Sequence, residues 1–388
     1  MTLEPRTVTI LGSTGTIGQH TVELLLAAGD KFKTYAVTAA SNVQLLANQA
    51  KALQAKTAVI STSGQYNELK QALAGTDIQA LAGEDALEEV ATHHGGIVMA
   101  AIVGAAALNP TLAAIRQGCT ILLANKECFV CAGPLLQAEA SKHQARIIPV
   151  DSEHNAIFQI FNSDQAHAVK KIILTSSGGP FLRASLEQLK NVTVEQALKH
   201  PKWQMGAKIT IDSATMMNKG LELIEAFHLF PVTAAQIEVI VHPESIIHGM
   251  VEYIDGGVIA QLGTPDMRLP ISLSLAWPER MASGAKSLSF AALGSLTFEA
   301  PDMEKFPSIN LARNALQAGG TMPVILNAAN EIAVSNFLER RVKFLDIFRI
   351  VEESLSKSSN CVVEGIEHVL AVDKATRVLA QGLIGKLG

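Results

Sequence analysis

The chain has 388 residues, more than one ordinary domain holds, so two or three domains with separate cores are expected. Hydrophobic residues make up 48% and charged residues 17%, which excludes a disordered chain. The net charge of −5 offers no basic footprint for nucleic acid or an anionic membrane surface.

The longest apolar run, Ile97 to Leu108, covers twelve residues and falls short of the roughly 20 that cross a bilayer. The N-terminus enters a β-like run, Thr7 to Leu11, almost at once, which leaves no room for a signal peptide. Four cysteines are too few for a disulfide framework, so a reducing, cytoplasmic setting is expected. Cys128 and Cys131 form a C-x-x-C without the second half of a zinc site, and packing is the reading taken.

Residues 1–150 alternate short β-branched runs with Ala/Leu-rich helical stretches, the pattern of a parallel sheet with crossover helices. Predicted strands are Thr7–Leu11, Thr34–Thr38, Thr57–Ile60, Gly96–Ile102, Thr120–Ala124 and Arg146–Val150, with helices at Thr21–Ala28 and Leu45–Leu53. Residues 151–285 read as a mixed α+β domain with strands at Lys171–Thr175, Lys208–Ile211, Ile237–Val241 and Gly257–Leu262. Residues 286–306 read as a connector, and 307–388 as a small helical bundle. There Ser308 is the expected cap and Gly319-Gly320 the expected stop of the first helix, with further helical patterns over Val324–Leu338, Leu345–Leu355 and Lys374–Leu383.

Gly12-Ser13-Thr14-Gly15-Thr16-Ile17-Gly18 lies directly after a predicted strand and before a helix. Glycines at that place let a backbone turn approach a pyrophosphate, which rests on the N–H groups of the helix start. The N-terminal part is therefore expected to be a Rossmann-like dinucleotide-binding domain. No Asp or Glu lies between Val37 and Lys51, where NAD-preferring proteins hold the ribose hydroxyls. NADP is favoured on that ground; the plain alternative is that Ala40, Ser41 and Asn42 only end a strand.

Asn125-Lys126-Glu127 and Asp151-Ser152-Glu153-His154 follow two further strands at the sheet edge where open α/β sheets bind ligands. Asp151 and Glu153, two apart in an extended segment, would face one side and suit Mg²⁺ or Mn²⁺. A helix cap by Asp-Ser stands as the other reading. Ser176-Ser177-Gly178-Gly179 is a turn suited to phosphate oxygens, or an ordinary loop. Ser213, read as a strand end, precedes a helix in which Asn218 and Glu222 are one turn apart and Lys219 lies beside them. Two neutral donors and an ammonium match a phosphate. A Lys219–Glu222 surface pair is the bland reading. Trp203 and Met205, in a loop bounded by Pro201 and Gly206, suit a closing lid over 200–208 or serve as core anchors.

In order and spacing, GSTGTIG, LANKE, PVDSEH, SSGGPF, HPKWQMGAKITIDSATMMNKGLE, VHPESIIHGM and LGTPDMR resemble the 1-deoxy-D-xylulose 5-phosphate reductoisomerase family over essentially the whole chain. The resemblance implies that Thr14, Gly15, Thr16 and Ile17 hold NADPH, with Ala40, Ser41, Asn42, Asn125, Glu127 and Gly206. It implies Asp151, Glu153 and Glu222 as ligands of a divalent metal (Mg²⁺, Mn²⁺ or Co²⁺). Lys126, Ser152, Glu153, Ser177, His200, Trp203, Met205, Ser213, Asn218, Lys219 and Glu222 would contact a sugar phosphate, and Lys126 would assist charge or proton movement beside the metal ligands. Many relatives carry a basic residue where this chain has Ser41. The implied reaction moves a carbon branch by retro-aldol and re-aldol steps and then reduces an aldehyde with NADPH. A homodimer is implied by the family alone. Two rivals lack a use for these clusters: a simple NADP-dependent dehydrogenase of a small phosphorylated substrate, and a non-catalytic NADP-sensing protein.

Overall fold

A computed structural model describes residues 4–203 and 205–386. The chain forms two compact units. One comprises residues 1–128, 134–155 and 266–285; the other comprises 129–133, 156–265 and 286–388.

In the first unit, seven short strands form one sheet whose inner strands are mostly buried. These are β1 (Arg6–Leu11), β2 (Phe32–Ala39), β3 (Thr57–Ile60), β4 (Gln79–Ala82), β5 (Ile97–Ala100), β6 (Thr120–Leu123) and β7 (Arg146–Pro149). Val8, Ile10, Ile60, Val98 and Leu122 are at most 1% exposed, as strands covered on both faces must be. The sheet is parallel throughout, in the order β4-β3-β2-β1-β5-β6-β7. The order reverses at β1 and β5, which creates the switch point where such sheets take ligands. Helix α1 (Thr16–Ala28) leaves β1 there, and α2 (Val43–Ala52), α3 (Lys126–Lys142) and α4 (Ser152–Ile160) follow β2, β6 and β7. A late helix, Arg268–Ala276, packs on α1, and Arg6 Nη1 donates to Leu275 O at 2.8 Å.

The second unit holds β8 (Val169–Ser176), β9 (Ile237–Val241), β10 (Ile247–Tyr253) and β11 (Val258–Leu262), in the order β11-β10-β8-β9. Only the β8–β9 pairing is parallel. Its helices are α5 (Ala207–Ala214), α6 (Met217–Leu229), α7 (Ser308–Ala318), α8 (Met322–Leu338), α9 (Asp346–Lys357) and α10 (Ile366–Ile384), with shorter turns between them. One continuous core joins strand residues Ile172 and Leu174 with Leu221 and Ile224 of α6 and with Ile309, Leu326, Phe337 and Ile350 of the C-terminal helices. The C-terminal helices thus share a core with the central sheet, and the chain passes from the first compact unit to the second between Ala285 and Lys286.

The structure departs from the sequence reading at identifiable places. Lys208–Ile211, expected as a strand, begins helix α5. The β-branched run misleads because burial falls on Thr210, Ile211 and Ala214, a helical spacing that tertiary packing enforces over propensity. Ser213 therefore sits inside a helix, not at a strand end. Asp151 and Glu153 are not in an extended segment either, since α4 starts at Ser152 and Glu153 lies in its first turn. Strand β4 goes unannounced because Gln-Ala-Leu-Ala lacks β-branched residues, and β10 because His248 and Gly249 interrupt it.

Helix α6 lies unusually close to α7. A Cβ added at Gly220 would stand 2.9 Å from Ala312 Cβ and 3.0 Å from Ser308 O. Gly220→Ala is therefore expected to destabilise the chain by about 1–3 kcal/mol, although alanine is the better helix former. Denaturant unfolding checks this, and an unchanged midpoint and slope would contradict the close approach.

Candidate active site

The glycine turn is built by exclusion of side chains. At Gly12 the backbone adopts φ +85°, and an added Cβ would lie 2.7 Å from Ala101 O beyond β5. At Gly18 an added Cβ would lie 2.3 Å from Gly12 O, so the first turn of α1 can close on the loop only with glycine there. Polar bonds lock the turn from beneath: Gly12 N donates to Thr38 Oγ1 at 2.9 Å, and Ser13 Oγ donates to Gln49 Oε1 at 2.7 Å. Gln49 Nε2 returns a bond to Ser13 O at 2.9 Å. Gly15 and Thr16 remain exposed, with Thr14 and Ile17 half-buried beside them. The helix start leaves its first N–H groups without intrahelical acceptors, as an anion requires.

Ala40, Ser41 and Asn42 are exposed beyond β2. Asn42 caps α2 through a bond from Leu45 N at 3.2 Å, and Ser41 O accepts from Gln65 Nε2 at 3.0 Å. Asn125 is buried, and its side chain is engaged by the protein itself. Its Oδ1 accepts from Cys128 N at 2.7 Å, capping α3, while Nδ2 donates to Ile102 O and Gly104 O. Lys126 Nζ stands 2.7 Å from Asp151 Oδ2, and both side chains are nearly buried. Ser152 Oγ donates to Glu153 Oε2, and Glu127 is 6% exposed.

In the second unit the Ser-Gly-Gly turn follows β8, with Gly178 and Gly179 at φ +78° and +66°. An added Cβ at Gly179 would reach Ser213 O at 2.6 Å, so this turn and the end of α5 lie against each other. His200 Nε2 lies 3.1 Å from Ser177 Oγ, while its Nδ1 accepts from Trp203 N at 2.9 Å and Lys202 N at 3.2 Å. Those two amide donors require an unprotonated Nδ1, so the proton sits on Nε2 and faces Ser177. Trp203 is half-buried, edge-on to His248 with ring centroids 6.1 Å apart. Met205 is half-buried and Gly206 is exposed at the head of α5.

On α6, Asn218 Nδ2 and Lys219 Nζ both donate to Glu222. The Lys219 and Glu222 side chains are 3% and 1% exposed, so this is a buried pair and not the surface pair of the bland reading. Met216, at φ +59°, makes the sharp corner between α5 and α6 that brings Ser213, Asn218 and Lys219 into one short stretch. Sequence reasoning did not single out His248, although it lies inside the VHPESIIHGM block; its contact with Trp203 spans 45 positions and leaves no local signal.

Burial lowers the pKa of His200, His228 and His248 to about 4 each. The unfolded chain binds these protons near 6.5, whereas the folded chain resists them down to about 4, so stability rises with pH across that window. Thermal unfolding is expected to show a falling melting temperature as pH drops from about 6.5 toward 4. His200→Gln should flatten part of that slope.

A parallel sheet with a glycine turn at its switch point, joined in one chain to a unit that gathers hydroxyl, amide and ammonium donors, defines a dinucleotide-dependent enzyme of phosphorylated substrates. Comparison with known proteins is consistent along the whole length. Family models described as 1-deoxy-D-xylulose 5-phosphate reductoisomerase, its C-terminal domain, and DXP reductoisomerase C-terminal domain match residues 8–133, 147–230 and 262–379. The 1-deoxy-D-xylulose 5-phosphate reductoisomerase of Zymomonas mobilis is 51% identical over 384 residues, covering 99% of each chain. That of Rhodospirillum centenum is 51% identical, covering 98% of this chain and 94% of the relative. The solved Zymomonas mobilis enzyme in complex with NADPH superposes with a TM-score of 0.94 at 50% identity, covering 98% and 99% of the two chains. A DOX-P reductoisomerase in complex with NADPH, fosmidomycin and magnesium gives 0.94 at 44%, with the same coverage. The chain belongs to the 1-deoxy-D-xylulose 5-phosphate reductoisomerase family.

Proposed function

We propose that this chain converts 1-deoxy-D-xylulose 5-phosphate to 2-C-methyl-D-erythritol 4-phosphate, using NADPH and a divalent metal, in non-mevalonate isoprenoid precursor biosynthesis. The observation that carries this is half-identity to reductoisomerases across the full chain. Neither rival uses both the acidic residues and the phosphate donors.

The donor sets fit the two cofactors. Asp151, Glu153 and Glu222 offer only carboxylate oxygens, the chemistry a hard cation such as Mg²⁺, Mn²⁺ or Co²⁺ takes. The glycine turn offers backbone N–H groups and no side chain in the way, which suits a pyrophosphate. We assign Thr14, Gly15, Thr16 and Ile17 to NADPH, with Ala40, Ser41, Asn42, Glu127 and Gly206. Asn125 is kept in the set as the residue that holds the adjoining loop, because its amide is already engaged. Bound metal supplies a Lewis acid for the substrate's hydroxyl and ketone oxygens, and NADPH supplies hydride.

The chain's own groups do the remaining work. Ser177, Ser213, Asn218 and Lys219 are assigned to the phosphate, Lys219 as its point charge and the others as neutral donors. His200, protonated on Nε2, keeps Ser177 Oγ oriented and stays neutral at working pH. Lys126, held 2.7 Å from Asp151, is a cation placed to meet charge developing on substrate oxygen. Trp203 and Met205 are assigned to cover the substrate and exclude water, with Ser152 and Glu153 as further contacts. Homodimer formation and a cytoplasmic location belong to the same reading. No described helix is long and apolar enough to cross a membrane.

Incubation with the ketose phosphate, Mg²⁺ and NADPH should bleach nicotinamide absorbance, and a lack of oxidation would refute the reading. Glu222→Gln keeps shape while removing a charge and a good metal ligand; it should cut turnover by orders of magnitude and leave NADPH affinity within about twofold. Wild-type metal dependence in that variant would remove Glu222 from the ligand set. The missing carboxylate after β2 predicts that kcat/KM favours NADPH over NADH by at least roughly tenfold, or ~1.4 kcal/mol. Ser41→Asp should erode that ratio by repelling the 2′-phosphate.

A further inference from the structure

Helix α5 has eight residues, too few to hold a direction unaided, yet it carries Ser213 to the phosphate donors. What fixes it is a carboxylate that the proposed reaction does not use. Asp212 is 1% exposed. Its Oδ2 stands 2.8 Å from Lys208 Nζ one turn earlier on α5, and its Oδ1 accepts from Asn330 Nδ2 at 2.8 Å. Asn330 is fully buried in the middle of α8, 118 positions away, and α8 packs against α5.

Buried ion pairs are often no more stabilising than well-packed apolar residues of the same volume, so stability alone gives little reason for a charge here. Directional bonding gives a reason. Successive helical residues point about 100° apart. Binding Asp212 to α8 therefore sets where the next residue, Ser213, points. Ser213 O in turn lies against Gly179 of the Ser-Gly-Gly turn, and Ser213 O accepts from Met216 N at 3.1 Å where the chain turns into α6. A rotation of α5 would move Ser213 and the start of α6 together.

We propose that Asp212, held between Lys208 and Asn330, is a positioning residue that fixes the rotational setting of α5 and so aligns Ser213 with the donors on α6 for the substrate phosphate. The proposal rests on the phosphate assignment made above. It is a role in placement, exerted through Ser213, without contact to substrate.

The test uses Asn330→Leu, which removes the tie but keeps the Asp212–Lys208 pair, and Asn330→Asp, which sets carboxylate against carboxylate. The exchange Asp212→Asn/Asn330→Asp restores an amide–carboxylate bond with the roles reversed, and the amide oxygen introduced at position 212 can still accept from Lys208. For each, KM for the ketose phosphate, the inhibition constant of inorganic phosphate, the NADPH dissociation constant and the melting temperature are measured. Both single variants should raise KM and the phosphate constant tenfold or more, with kcat changed less than threefold and NADPH binding within twofold. The exchange should recover most of the loss. Native KM and phosphate constants in the folded single variants, whatever their melting temperatures, overturn the proposal, as does an exchange that folds normally without recovery. Should a single variant not fold, the exchange decides alone by its KM. Ser213→Ala separates the two levels: if it leaves the phosphate constant unchanged, the phosphate assignment itself fails; if it raises that constant while Asn330 variants do not, only the positioning role fails.

Discussion

The need to keep Lys219 and Glu222 charged while almost completely buried governs the second unit. An ion withdrawn from water costs several kcal/mol even after relaxation, and it persists in a fold only with a partner in good geometry. Placing the two residues three apart on one helix, with Asn218 one turn before Glu222, provides that partner locally. The same logic holds for the other carboxylates. Asp151 has Lys126, and Glu153 has the Ser152 hydroxyl. Each of these acids thus has an ionic or hydrogen-bonding partner within its own unit.

Legibility followed the range of the forces involved. Strands β1, β3 and β9 were readable because a run rich in β-branched residues bounded by turn or helix signals needs no tertiary information. The glycine turn was readable because two close approaches, at Gly12 and Gly18, leave glycine as the one residue that fits. Helix α6 was readable from the spacing of Asn218, Lys219 and Glu222. Helix α5 was not, since Ile209-Thr210-Ile211 favours a strand until α8 is packed beside it. The partners of Asp212 and Trp203 were equally hidden: Asn330 and His248 lie 118 and 45 positions away, and nothing local marks them.

The proposed assignments give this one chain two ways of holding phosphate. At the glycine turn the donors are backbone N–H groups at a helix start, and the recognition is of shape and partial charge. That suits a pyrophosphate buried inside a larger ligand. At the α5–α6 corner the donors are side chains with a full ammonium among them. A terminal phosphate carries more charge and fewer other contacts, so a point charge is needed to hold it.

That second mode requires rigid backing, and the C-terminal helices supply it. They carry few chemical groups, which makes them look dispensable in the sequence. Yet Gly220 lets α6 settle against Ala312 of α7. Phe181, which ends the SSGGPF turn, meets Phe344 edge-on with ring centroids 5.2 Å apart. Lys305 Nζ donates to Leu182 O at 2.8 Å and Ala184 O at 3.1 Å, tying the same turn down from another direction. Each donor-bearing segment of the second unit, β8 with its turn, α5 and α6, therefore rests on a different part of the chain beyond residue 300. On the proposed assignment, a phosphate taken by four side chains on three segments would be held only as accurately as those segments are held to one another, and this common backing sets that accuracy.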